Sequence, residues 1–257
     1  MNKLLILVMC VAVSTAAHAQ EKKEYPQPAQ MMPEMTEYWL PQPEVVTPGD
    51  ISTNSAPSDA IVLFDGNDLD AWMCSSTKGP AQWKVHDGVF TVVKYNPDIE
   101  TKQHFSSFQL HLEWCVPTNI TGSSQARGNS GVFLQGIYEI QILDSYNNET
   151  YSNGQAGSVY KQTRPLVNAM RKPGEWNVYD IIYNAPVFNS DGTYRVNPTV
   201  TLFHNGILVL NNVTILGTTE WIGNPKVIPH ADGPIKLQMH GDPSEPISFK
   251  NIWIREL

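Results

Sequence analysis

The sequence predicts an all-β fold, a two-sheet sandwich or jelly roll, and three observations lead there. From Ala60 onward, short runs rich in branched and aromatic residues follow one another. They are punctuated by turn-forming pairs, Asp65-Gly66, Asp87-Gly88, Asn153-Gly154, Asp191-Gly192, Asn205-Gly206 and Asp232-Gly233. No stretch shows a 3.6-residue apolar period, which argues against helical layers. No repeat of fixed period is present either, which disfavours a propeller. Strands are expected at 60–64, 82–86, 88–94, 107–116, 130–135, 137–143, 157–160, 176–184, 199–204, 206–210, 234–239 and 247–256.

The chain has 257 residues, enough for one large β domain with a sizeable core. Its net charge of -8 opposes phosphate backbones, and no Lys/Arg stripe interleaves with aromatics, so nucleic acid is a poor partner. Residues 1–19 place Lys3 before an apolar run and end on Ala17-His18-Ala19, the pattern of a cleaved signal peptide. Export to the periplasm or beyond is expected, with no transmembrane anchor; lipid attachment at Cys10 is disfavoured by the large Met9 before it. Residues 20–58 carry Pro26, Pro28, Pro33, Pro41, Pro43, Pro48 and Pro57, which deny helix and central strand and predict an extended arm. Within it, Tyr38, Trp39 and Leu40 are apolar enough to dock on the domain, which is expected over 59–257. Cys74 and Cys115 remain in an oxidising compartment, as a bridge or as two separate thiols.

The richest chemistry lies in Arg127 to Ser145, RGNSGVFLQGIYEIQILDS. Strand alternation puts Tyr138, Ile140 and Ile142 on one face and Glu139, Gln141 and Leu143 on the other. In GPIKLQMHG the apolar set Ile235, Leu237 and Met239 leaves Lys236, Gln238 and His240 together. FQLHLEWCV likewise sets Leu110, Leu112, Trp114 and Val116 against His111, Glu113 and Cys115, a face that is ordinarily solvated. Asn129, Gly131 and His204 fit simple turn roles, while Arg127 could pair with an acid or hold a polar ligand. Tyr160 and Lys161 follow the Gly-rich NGQAG turn and could reach into a cleft. Trp176 is a core or rim aromatic, or a platform for a sugar ring. There is no G-x-S-x-G, phosphate-binding G-x-x-x-x-G-K-[ST], H-E-x-x-H or paired C-x-x-C motif. The histidines fall at no recognisable ligand spacing; no cofactor is expected, and a divalent metal stays open.

The runs IVLFDGNDLDAW, GNSGVFLQGIYEIQILDS, NGQAGSVYKQ, NAMRKPGEWNVYDI, FHNG and GPIKLQMHGDPSEPISFKNIWIREL resemble, in order over residues 57–257, the 3-keto-disaccharide hydrolase domains. The arm from about residue 33 looks like that of exported members from Bacteroidetes-type bacteria. The resemblance implies a concanavalin A-like jelly roll and cleavage of glycosides already oxidised to a ketone at C3. A C3 ketone acidifies the hydrogen on C2, so a base can remove it, the enolate can expel the C1 oxygen, and water can then add. Such a route needs a base, a proton donor and enolate stabilisers. Residue type and parity cast Glu139 and His240 as the acid–base pair. Arg127, Gln141, Gln238 and Trp176 are then substrate contacts, and Tyr160 or Lys161 stabilise the enolate. Met239 departs from the acidic residue expected in many relatives, on the opposite face. A non-catalytic carbohydrate-binding module ranks second. A laminarinase-like glycosidase ranks third, because a retaining mechanism needs two carboxylates about 5–5.5 Å apart. In Glu139-Ile-Gln141-Ile-Leu-Asp144 the middle acid is Gln141, and Asp144 has the wrong parity.

Overall fold

The computed structural model describes residue 30, residues 32–38 and residues 40–257. The expected signal peptide, Cys10 and Trp39 lie outside the described residues. The chain parts into two compact units between Val45 and Val46. The described part of the first holds one 3₁₀ turn, Pro33–Thr36, with Tyr38 and Leu40 exposed. Residues 46–58, expected within the arm, belong to the second unit.

That unit is built from strands, and its described residues contain no α-helix. In chain order they are β1 (Ile61–Phe64), β2 (Trp72–Cys74), β3 (Lys84–His86), β4 (Val89–Thr91), β5 (Ile99–Thr101), β6 (Phe108–Cys115), β7 (Ser130–Leu134) and β8 (Tyr138–Ile142). There follow β9 (Trp176–Asn184), β10 (Val187–Phe188), β11 (Tyr194–Val196), β12 (Thr199–His204), β13 (Ile207–Thr214), β14 (Lys236–Leu237) and β15 (Ser248–Glu256). An eight-stranded antiparallel sheet runs β13-β12-β9-β6-β15-β4-β3, with β1 also on β15. A five-stranded one runs β2-β5-β14-β7-β8, and β10 and β11 pair alone.

The two large sheets share one apolar core. Leu110, Leu112 and Trp114 of β6 and Tyr179, Ile181 and Tyr183 of β9 cluster with Val132 and Leu134 of β7 and Tyr138, Ile140 and Ile142 of β8. Two tyrosines tie the sheets together with their hydroxyls: Tyr179 donates to the Gln141 carbonyl (2.8 Å) and Tyr183 to Gln135 Oε1 (2.8 Å). Buried hydroxyls need such partners, so each bond also fixes the sheet-to-sheet placement.

The turn chemistry explains two hairpins and misses a third. Asp87-Gly88 and Asn205-Gly206 both take positive φ, as a tight two-residue hairpin requires. The β7–β8 hairpin instead turns on Gln135 (φ 49°) and Gly136 (φ 75°). Gln135 is held there by its side chain, which donates to the Phe105 carbonyl and accepts from Tyr183. Tertiary bonds replace the usual Asn. The expected strand 157–160 is not a strand. Residues 157–163 follow β8 through backbone bonds such as Gln141 N to Ser158 O (3.0 Å) and Tyr160 N to Glu139 O (3.1 Å), with only isolated bridges at Val159. Leu143, expected beside Glu139, lies past the end of β8 and is buried in the core. The His111–Glu113 face is not solvated: both residues are buried. Cys74 and Cys115 are free thiols.

Candidate active site

The site is built on the face of the five-stranded sheet turned away from the core. Pairing register sets Lys236, Phe133 and Glu139 opposite one another across β14, β7 and β8, and Gly131 opposite Gln141 in an adjacent row. Gln238 extends this second row, because its N–H donates to the Gly131 carbonyl (3.0 Å) and its own carbonyl accepts from Ser130 Oγ (2.8 Å). Of these, Phe133, Glu139, Gln141 and Gln238 line a cleft of about 270 Å³ together with Asn129, Tyr160, Thr219, Trp221 and His240.

Gly131 is not a turn residue as the sequence implied; it lies within β7, opposite Gln141. A Cβ there would stand 2.6 Å from Glu139 Oε1 and 3.0 Å from a Phe133 ring carbon. The missing side chain therefore makes room for the Glu139 carboxyl. That carboxyl is almost fully buried, and burial pushes its pKa up to about 8. The Lys236 charge works against the shift and the Asp98 charge adds to it. Lys236 is not bonded to the glutamate: its Nζ lies 4.0 Å over the Phe133 ring and 4.0 Å from Asp98 Oδ2. The Gln141 Nε2 donates to Gln125 Oε1 (2.9 Å) or, with its amide turned over, to Glu139 Oε1 (3.2 Å) instead. The Gln141 amide thus lies between the carboxyl and the 3₁₀ turn at Ser124–Ala126.

His240 is held from behind. Its Nδ1 lies 2.9 Å from Asp242 Oδ2, which leaves Nε2 as the nitrogen open to a bound molecule. Burial opposes ionisation of Asp242, but bonds from His240 and Ser244 outweigh it and keep the carboxyl below its ordinary value. Ser244 Oγ also accepts from Gly128 N (2.8 Å), so the imidazole is tied to the turn that leads into β7. Gln238 Oε1 is buried without a hydrogen-bond partner.

Of the residues expected from sequence, Glu139, Gln141, Tyr160, Gln238 and His240 meet in this cleft. Three do not line it. Arg127 turns its Nε to the fully buried Asp144 (2.6 Å), because a carboxylate shut away from water needs a partner. Lys161 donates to the Trp221 carbonyl (2.5 Å) and acts on a loop at the rim. Trp176 lies on β9 in the other large sheet, with Lys250 Nζ 4.4 Å from its ring centre. Phe133, Thr219 and Trp221 were not anticipated. Phe133 is readable from β7 parity with Gly131, whereas the 215–230 loop carries no motif. Among the described residues, no group of three or more His, Cys, Asp and Glu side chains is placed to hold a metal. Glu139 is the only carboxylate among the residues lining the cleft. A displacement by two carboxylates has no second acid there.

Residues 59–255 match the 3-keto-alpha-glucoside-1,2-lyase-like domain. The chain belongs to that family. It is 66% identical to a structurally solved "putative glycosyl hydrolase" from Parabacteroides distasonis, over 89% of this chain and 98% of that one, with a TM-score of 0.86. Two further structures of that description from the same organism are 21% and 25% identical, each over 77% of this chain and over 94% and 99% of theirs, with TM-scores of 0.56 and 0.52. No curated protein matches. Membership makes this a carbohydrate-active, glycosidase-like chain, and no described helix is long and apolar enough to cross a membrane.

Proposed function

We propose that the protein cleaves glycosides whose sugar carries a ketone at C3, with Glu139 and His240 exchanging the protons. The observation that carries this reading is the pairing of a buried, largely protonated carboxyl with an imidazole anchored on a carboxylate, in one polar cleft. The burial of one group and the anchoring of the other assign their roles. Glu139, raised to about 8, holds its proton at neutral pH and serves as the acid. His240 directs Nε2 at the substrate and serves as the base. It takes the C2 proton, the electron pair forms the C2–C3 enolate, and collapse of that enolate breaks the C1–O bond. Glu139 protonates the departing oxygen. The enone is either released or takes up water at C1, with C2 reprotonated. Gln141, Gln238 and Tyr160 contact the sugar.

The family match and the 66% identical relative support sugar cleavage. The core shared by the large sheets supports a concanavalin A-like jelly roll of two sheets. The leader over residues 1–19 supports export to the periplasm or beyond. The test is to assay the purified protein on ethyl 3-keto-glucoside and on the unoxidised ethyl glucoside. Release of ethanol from the keto form alone is expected. Sugar binding with no release from either would replace the reading with a non-catalytic carbohydrate-binding module, and release from the unoxidised glycoside would replace it with an ordinary glycosidase.

A further inference from the structure

The loop Gly217–Lys226 stands over the acid's side of the cleft, and its construction separates a fixed base from an apolar tip. At the base, Thr218 N donates to the Lys226 carbonyl (2.9 Å), and Lys226 Nζ lies 3.2 Å from Glu220. Gly217 passes so close to the Lys226 backbone that a Cβ would stand 2.5 Å from its carbonyl oxygen. Thr219 fastens the loop to the strand of the acid: its N–H donates to the Ile137 carbonyl (3.0 Å), and its Oγ1 accepts the Glu139 N–H (2.9 Å). Lys161, from the segment beside β8, donates to the Trp221 carbonyl. The backbone is therefore held, while Trp221 and Ile222 remain 76% and 75% exposed.

Trp221 lines the cleft, as do Phe133 and Tyr160, whose hydroxyl bonds that of Tyr151 (2.7 Å). The cleft thus has a floor of hydrogen-bonding groups and the Phe133 ring on the sheet, with the faces of Tyr160 and Trp221 beside β8. His240 follows Gln238 past the end of β14, whereas Glu139 on β8 is bonded to the Trp221 loop through Thr219, so a sugar spanning base and acid sends its C1 oxygen out past Glu139, toward Trp221. Trp221 offers a sugar ring a stacking face but not the several hydrogen bonds its hydroxyls require, and Ile222 offers neither. Both gain by covering apolar surface.

We propose that Trp221 and Ile222, with Tyr160, form a subsite for an apolar leaving group, so that the preferred substrates are 3-keto-glycosides of hydrophobic alcohols rather than disaccharides. This rests on the proposed acid–base reading. The test compares 2-phenylethyl, ethyl and glucosyl 3-keto-glucosides, since the first two release alkoxides of similar basicity and differ chiefly in apolar area. In the wild type, kcat/KM for the phenylethyl compound should exceed that for the ethyl compound by about tenfold or more, the scale of a small apolar contact. In Trp221→Ala, and to a lesser degree in Ile222→Ser, that ratio should collapse toward unity through a rise in KM. A ratio unchanged by Trp221→Ala, or a wild-type preference for the glucosyl compound, overturns the subsite. If no 3-keto substrate is cleaved, the acid–base reading fails by itself. Calorimetric binding of the same phenylethyl and ethyl compounds then decides the subsite, which falls if their affinities are equal.

Discussion

Glu139 and Glu113 are both carboxylates on the outward face of a large sheet, and both are buried, yet their surroundings move them in opposite directions. Glu113, on β6, meets Lys250 (3.3 Å), Asn251 Nδ2 (2.9 Å) and His111 (3.7 Å), and Asn54 reaches it from the segment 46–58 that crosses this face. Burial works to raise its pKa, but the bonds from His111 and Asn251, the Lys250 charge and Asn54 bring it down to about 2. His111 is moved in concert: burial disfavours its charge, but Asp180 (2.7 Å) and Glu113 hold it above the ordinary histidine value. Glu139 has no bonded cation, and burial alone dominates. The difference teaches that burial by itself does not raise a carboxyl. Burial left uncompensated by cations and hydrogen bonds does.

The sharpest way to break this comparison is Glu139→Gln. On ethyl 3-keto-glucoside it should lower kcat/KM by about 10²- to 10⁴-fold, the usual worth of a positioned proton donor. A 4-nitrophenyl leaving group needs little protonation and should recover most of the loss; an equal loss on both substrates would reject the acid role. Wild-type kcat/KM should fall as pH rises past about 8, where the acid loses its proton. Stability follows the same group. Its folded pKa lies above the ordinary 4.5, so its stabilising contribution is complete below 4.5 and is lost as pH rises through about 8. Thermal melts should therefore show Glu139→Gln gaining on the wild type between pH 5 and pH 9 (roughly the span of that titration). Glu113 has the reverse sign: its contribution is present above 4.5 and is lost as pH falls toward about 2.

Next in size is Gly131→Ala. The backbone there is ordinary strand, so the cost falls on the Glu139 carboxyl, which the new methyl displaces. Misplacing a catalytic group by about 1 Å costs on the order of 10²-fold. The expected result is a fall of that size in kcat with a melting temperature near wild type. Unchanged kcat would show that the room left by Gly131 does not position Glu139.

Most of the cleft floor was legible because strand parity is local: a period of two sorts Glu139 from Ile140 and His240 from Met239 without any knowledge of the neighbours. Parity cannot tell a solvated face from one that another segment covers. The His111–Glu113 face therefore reads as wet in sequence and is dry in the fold. The strands β2, β5, β10 and β11 went unseen because two or three residues, as in Trp72–Cys74 or Val187–Phe188, show no alternation of their own and, unlike the equally short β3, β4 and β14, stand in no longer branched or aromatic run. Their pairing comes from the sheet, as that of the Gln135 turn comes from Tyr183 and Phe105. Trp221 was invisible for a related reason. Its position depends on Thr219 and Lys161, which are distant from each other in sequence.

Glu113→Gln tests the other half of the comparison. It keeps the shape and the amide contacts but removes the charge that Lys250 and His111 share. Unfolding in denaturant should show a loss of about 1–2 kcal/mol, with turnover unaffected. A change in kcat/KM would mean that the two faces are coupled through the sheet.

The smallest effect expected belongs to Trp176, which separates a sugar platform from a structural aromatic. It stands at the start of β9, opposite Cys115 of β6, and its ring meets the same Lys250 that pairs with Glu113. Its partners are thus the closed charge network and not the row that carries Glu139. Trp176→Leu keeps apolar bulk and removes the ring face, so the loss is the cation–π contact, about 0.5–1 kcal/mol at such a site. Denaturant midpoints should move by that amount while KM for ethyl 3-keto-glucoside stays unchanged. A raised KM with unchanged stability would return Trp176 to the substrate and place a second binding surface on the eight-stranded sheet.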